Sequence, residues 1–287
     1  MRSYTAIGET LLQMIRGDNM RRNTGEPKLL IKFPTRGRPQ KFFYVLTLYY
    51  RFMRGKHYEF VISCDEDDET MNNEMIRNHF KQFPNLSVHY SKNANKVEAI
   101  NANMEGRDFD ILLLASDDMI PEIPGYDAHI KNTMLQTFPD GDGVLWFFDG
   151  HRKDINTLSI FGKKYYDRFG YIYNPEYKTW FCDNEFTAVG HGLRRQATIE
   201  TVIIRHCHPD IAGYGHDKTY ERNNDSDEKK EDNRIYLARK SRDFDIPQLL
   251  ADEQKRISSG HSPVAPPKKP KNKSRKSSKK RRKGKKR

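Results

Sequence analysis

The segment 110–118, DILLLASDD, is the most constraining feature of the chain: five consecutive apolar residues stop abruptly at a serine and two acids. A strand whose side chains are all apolar has no face left for water, so it must lie in a sheet covered on both sides. Such a sheet is built by alternating strands with helices, and the rest of the chain supplies that alternation. LLIKF, from Lys28 onward, reads as a strand ending in the turn PTRGRP. The following QKFFYVLTLYYRFM carries Phe43, Leu46, Tyr50 and Met53 at helical spacing. YEFVISC is a second strand running into the acids DEDDET, followed by a helix over 71–83 and a short strand around LSVHY. A helix over 96–104 precedes the central strand. Beyond it come a helix over 128–138, the strand GVLWFF, the helical turn KYYDRFG with its glycine stop, and the strand TVIIRHCHP. The expected fold class is therefore α/β, a mostly parallel sheet with helices on both faces. Ligands in such sheets bind at the carboxyl ends of the strands.

Several classes are excluded early. No apolar run approaches the roughly 18 residues of a membrane span. Segment 1–27 is a mixed amphipathic stretch without the apolar centre and cleavage site of a secretory signal, so an N-terminal helical extension and a cytoplasmic location are expected, in a cell or in virus-infected host cytoplasm or a virion. Three scattered cysteines, Cys64, Cys182 and Cys207, cannot build a disulfide framework and are expected to be free thiols. GxxxxGK[ST], GxGxxG after a strand, and GxSxG are all missing, which removes P-loop, dinucleotide and serine-hydrolase readings.

Net charge is +12, from 51 basic and 39 acidic residues, but 14 of the basic residues lie in 268–287. Without those 14 the balance is 37 against 39, close to neutral. The basicity belongs to an appendage, which argues against a nucleic-acid-binding core. Segment 247–287 is expected to be a disordered tail able to contact nucleic acid or an anionic membrane surface. HDKTYERNNDSDEKKEDN (216–233) reads as too polar to pack, hence a mobile loop or a solvated helix.

Asp117 and Asp118 emerge where a buried strand meets the rim of the sheet, as hard oxygen ligands for Mg²⁺ or Mn²⁺ beside a diphosphate or as a helix cap. His206 and His208 alternate with Cys207, so a strand turns both imidazoles to one face, either as metal ligands or as ordinary surface groups. Asp183 and Glu185, in TWFCDNEF, are acids set among large apolar residues, suited to a general base or to a cap and an exposed face. Arg36 and Arg38, in TRGRP, could offer guanidinium forks and backbone N–H groups to phosphates.

In this order the motifs resemble GT-A-fold nucleotide-sugar glycosyltransferases, of the inverting, family-two-like kind found in bacteria, phages and large DNA viruses. The resemblance runs from residue 28 to about 245, within an expected domain of 28–246. Pro34-Thr35-Arg36-Gly37-Arg38-Pro39 matches the family's first-strand motif P-T-R-x-R-P. The resemblance implies that Thr35 and Arg38 touch the nucleotide, that Asp65 receives base or ribose, and that Lys96 and Asn101 of NKVEAINAN lie at the donor site. LLLASDD matches the DxD region, with Asp118 as the metal carboxylate; Ser116 replaces the first Asp and shifts weight onto Asp117 and Asp118. Asp183, and after it Glu185, would be the general base, and His206 or His208 the late metal-binding histidine.

The implied activity is metal-dependent transfer of a sugar, a hexosyl-type reaction, from a UDP- or GDP-sugar to a glycan, protein or lipid-linked acceptor. Mn²⁺ or Mg²⁺ is the implied cofactor. A sugar nucleotidyltransferase and a non-catalytic basic-tailed binding protein are the competing readings.

Overall fold

The computed structural model describes residues 25–207 and 226–258. Its centre is a seven-stranded sheet in the order β3-β2-β1-β4-β7-β6-β8. These strands are β1 (Leu29–Thr35), β2 (Tyr58–Asp65), β3 (Leu86–Ser91), β4 (Ile111–Leu114), β6 (Val144–Phe147), β7 (Ile160–Gly162) and β8 (Gln196–Ile199). β1 pairs in parallel with β2 and β4, β2 with β3, and β6 with β8; only β7 runs against its neighbours β4 and β6. A separate two-stranded ribbon joins β5 (Met119–Pro121) to β9 (Ile204–His206).

The wholly apolar β4 is buried along its length, as its composition demands. Successive residues of β1 divide between two cores, because strand side chains alternate sides. Leu29, Ile31 and Phe33 pack with Phe42, Val45, Leu46 and Tyr49 of α1 (Pro39–Phe52) and with Tyr126, Ile130 and Met134 of α4 (Tyr126–Thr137). Leu30 lies on the other face with Leu112 and Leu114, against α3 (Lys96–Asn101), α5 (Lys163–Phe169) and α6 (Cys182–Gly192). α2 (Glu74–Phe80) is capped by Asn73, whose side chain accepts from the Ile76 N–H. Gly170, with φ 72°, closes α5 in the left-handed conformation that a helix C-terminus favours for glycine. No described helix is long and apolar enough to cross a membrane.

Two expectations about the C-terminal third need correction. The polar segment 216–233 does pack where it is described: from Ser226 it forms α7 (Ser226–Lys240), and Asp232 is completely buried. The Asp232 carboxylate accepts the backbone N–H groups of Lys178 at 3.0 Å, Thr179 at 2.8 Å and Trp180 at 2.7 Å. A charge-assisted cluster of donors thus does what apolar burial does elsewhere. The expected disordered tail, 247–287, also begins with structure, since Ile246–Ser258 is helix α8 and its Leu249 packs against the second core. α8 follows a 3₁₀ turn, Asp243–Asp245. The expected N-terminal extension, apart from residues 25–27, and the rest of the basic tail lie outside the described residues.

Lys32 is a buried exception in the middle of β1. Its ammonium group is fully enclosed and donates to the Ala102 carbonyl at 2.7 Å and to the Ser63 hydroxyl. Burial, aided by the Arg107 charge, pulls its pKa down from 10.5 to about 7. Between those two values the unfolded chain binds more protons than the folded one, so this group makes stability rise with pH across that window. Unfolding in urea at pH 7 and pH 9 should show about 2 kcal/mol of such increase in the parent protein. Lys32→Met should lack this increment, and an unchanged pH slope in the variant would refute the assignment.

Candidate active site

Of the acids and basic groups singled out in the sequence, Arg36, Arg38, Asp65, Asp117 and Asp118 lie where β1, β2 and β4 end, at the carboxyl rim of the sheet. After β1, Gly37 takes φ 73°, a left-handed turn that a side chain would strain, and Pro39 starts α1. The turn is tied to the acids after β2. The Gly37 N–H donates to Asp68 at 2.7 Å, and Arg36 donates to Asp65 at 2.7 Å and also engages Asp67. Asn93, just past β3, donates to the other Asp65 oxygen at 2.8 Å. The Thr35 hydroxyl at the end of β1 is buried and has no hydrogen-bond partner among the described residues. Such an orphaned group at the carboxyl end of a strand fits a ligand contact.

The two acids after β4 diverge. Asp117 turns toward α1, with Arg38 at 3.2 Å and Lys41 at 3.7 Å. Burial and the neighbouring Asp118 raise its pKa, against the pull of Arg38 and Lys41. Asp118 instead faces β9. One of its oxygens accepts from the Ser116 hydroxyl, and the other lies 3.6 Å from His206 Nε2. The serine that departs from the DxD pattern therefore orients the remaining carboxylate. Burial alone would raise the Asp118 pKa, but His206, Ser116 and the nearby Lys96 charge hold it well below the usual carboxylate range.

His206 reaches Asp118 through the small ribbon: Met119 pairs with His206 across β5 and β9, and the Cys207 N–H donates to the Asp118 carbonyl at 2.7 Å. The imidazole lies between two acids, with Asp149 Oδ2 at 3.7 Å from Nδ1. Burial disfavours the imidazolium, yet the two carboxylates outweigh it and bring the pKa up to about 9. His208 lies outside the described residues.

Asp183 lies in the first turn of α6, partly exposed, where the helix N-terminus favours an anion. Phe181 before it has φ 62°, a left-handed conformation uncommon for a bulky residue. Asp183 and Asp149 both lie within electrostatic reach of Arg152, and Asp118 and Cys182, the residue before Asp183, within reach of Lys96.

Two expected site residues are engaged elsewhere. Asn101 spends both ends of its amide on the backbone of the 172–173 segment: its oxygen accepts from Ile172 at 2.8 Å and Tyr173 at 3.1 Å, and its nitrogen donates to the Tyr173 carbonyl at 2.6 Å. It staples a loop, with both ends of its amide committed to that backbone. Glu185 points to the far side of α6 and is 4% exposed. Arg239 at 2.6 Å, Tyr177 at 2.7 Å and Asn174 at 2.9 Å saturate its carboxylate. A carboxylate so enclosed by an arginine, a phenol and an amide is a structural anchor.

Sequence reasoning missed Asp149 and Asn93. Asp149 follows the apolar VLWFF as Asp117 follows ILLLA, so the same rule of an acid after a buried strand would have found it. Asn93 carries no local signal; only its distance to Asp65 marks it.

Among the described residues no group of three or more His, Cys, Asp or Glu side chains is arranged to hold a metal ion. Asp118 and His206 nevertheless form a two-donor set. Two ligands each about 2.1 Å from one ion stand roughly 3–4 Å apart, and the 3.6 Å gap falls in that range. A carboxylate oxygen with an imidazole nitrogen suits Mn²⁺, provided that phosphate and water fill its other positions.

A mannosyltransferase, PcManGT from Pyrobaculum calidifontis, solved in complex with GDP-Man and Mn²⁺, superposes over 90% of this chain and 86% of its own, with a TM-score of 0.53 at 13% identity. The chain has the GT-A fold. S. aureus TarS matches over 63% of this chain at a TM-score of 0.50 and 14% identity, and the match covers 37% of TarS. No protein-family model and no curated protein sequence matches the chain. At these identities the likeness concerns the fold, and any chemistry has to be argued from the rim itself.

Proposed function

We propose that this protein is a glycosyltransferase that moves a hexosyl group from a UDP- or GDP-sugar to an acceptor hydroxyl on a glycan, protein or lipid-linked sugar, with inversion. The observation that carries the reading is the approach of His206 to Asp118 at 3.6 Å, at the ligand-binding rim of a GT-A sheet. Asp118 and His206 would hold Mn²⁺ or Mg²⁺. Such an ion, when bound, offsets the charge that grows on a departing nucleoside diphosphate. Arg38, fixed by Asp117, and Lys96, whose charge already reaches Asp118, add cationic charge on the same side. Thr35, Asp65 and Asn93, with Arg36 bracing Asp65, would receive the nucleoside. Asp183 would take the proton from the acceptor hydroxyl as its oxygen bonds to the anomeric carbon. The bond from that carbon to the diphosphate oxygen breaks, and its electron pair leaves with the nucleoside diphosphate. Attack from the face opposite the diphosphate inverts the configuration.

The test is a thermal-shift panel of UDP- and GDP-sugars with and without Mn²⁺. A ligand at 100 times its Kd adds about 2.7 kcal/mol of apparent stability. One nucleotide class should raise Tm clearly more with the metal than without it, and Asp118→Ala should remove that dependence. No rise with any nucleotide-sugar would refute the reading. Pyrophosphate release from a nucleoside triphosphate and a sugar phosphate would replace it with nucleotidyl transfer.

A further inference from the structure

The carboxylate of Asp149 is held by three hydrogen-bond donors. It is 2% exposed. Oδ1 accepts the backbone N–H groups of His151 at 2.8 Å and Arg152 at 2.7 Å, and Oδ2 accepts the Thr157 hydroxyl at 2.6 Å. Three donors therefore prevent rotation, and the remaining lone pair of Oδ2 faces His206 Nδ1 at 3.7 Å. The main chain reinforces the arrangement, because the His206 N–H donates to the Asp149 carbonyl at 2.9 Å. Both the backbone and the ring of His206 are thus referenced to one residue at the end of β6, far from β9 in sequence.

From this we infer that Asp149 is a positioning residue for His206: it keeps a ring hydrogen on Nδ1, so that Nε2, on the side of Asp118, is the nitrogen that would give up its proton to bind a divalent cation. An imidazole has two tautomers, and the group facing one nitrogen decides which nitrogen keeps the lone pair. Carboxylates placed behind a ligating histidine fix both its orientation and its tautomer. The inference rests on the proposed metal-dependent transfer, since it concerns the ligand that such a metal would use.

Asp149→Asn separates this role from simple packing. The asparagine oxygen can keep the two backbone bonds, while its amide nitrogen takes the place of Oδ2 and can still donate to Thr157. That amide presents N–H to Nδ1, so the ring hydrogen moves to Nε2 and blocks the metal position. Mn²⁺ affinity, followed by the electron paramagnetic resonance of the free ion with saturating UDP or GDP, should fall about 10–100-fold. Tm and metal-free nucleotide affinity should not decrease.

Parent and variant binding Mn²⁺ equally well would overturn the positioning role and leave the transfer reading standing. Failure of the parent to bind Mn²⁺ with either nucleotide would overturn both. If Asp149→Asn does not fold, Thr157→Val takes its place, because it unpins Oδ2 without removing the charge. A several-fold loss of Mn²⁺ affinity then supports the inference, and an unchanged affinity refutes it.

Discussion

Asp183→Asn is expected to lower kcat by about 10²–10⁴-fold, the range that a positioned general base supplies. The carboxamide is nearly the same size and still accepts a hydrogen bond, so the first turn of α6 should be preserved. It has no basic lone pair to take the acceptor proton. Donor binding should change little, because Thr35, Arg38, Asp65 and Asp118 come from other strand ends while Asp183 arrives on α6. Calorimetric Kd values for the donor, set beside kcat, separate the two effects. Full transfer activity in the variant would show that another group takes the proton. Donor affinity falling in parallel with kcat would place Asp183 at the metal instead.

Arg239→Met should be strongly destabilising, because it strands Glu185 as a buried charge. The guanidinium of Arg239 lies 2.6 Å from Glu185 and 2.9 Å from Glu176, and the Arg239 side chain is 8% exposed. Removing one member of a buried pair costs about 3–5 kcal/mol, for a Tm loss on the order of 10 °C in a domain of this size. The double variant Glu185→Met/Arg239→Met should recover much of the loss, since neither charge is then left unpaired. Thermal unfolding of the three proteins checks this. If Glu185 is only an anchor, Glu185→Gln should alter stability more than turnover per folded molecule. A loss of kcat with intact stability would make Glu185 a candidate base again.

The legible part of this protein was the part governed by local pattern. Apolar runs ending in acids marked β2 and β4, and helical spacing marked α1, because strand and helix periodicity are properties of consecutive residues. β5 and β7, each three residues long, were missed because so short a strand has no period to detect. α6 was missed as well; it starts after a strained Phe181 with no capping side chain. The polar α7 looked unable to pack because apolar content was the criterion, whereas it is held by Asp232 under three backbone N–H groups.

The sequence by itself determined the α/β class and the set of acids, histidines and arginines at strand ends. Which of those groups meet was decided only by tertiary structure. Asp118 and His206 are 88 positions apart in the numbering and are joined by the β5–β9 pairing, while Glu185 and Asn101, equally plausible by pattern, were drawn into Arg239 and the 172–173 backbone. The physical reason is range: hydrogen bonds and ion pairs act over a few ångströms, and two residues distant in sequence are brought that close by the topology of the sheet, on which local composition is silent.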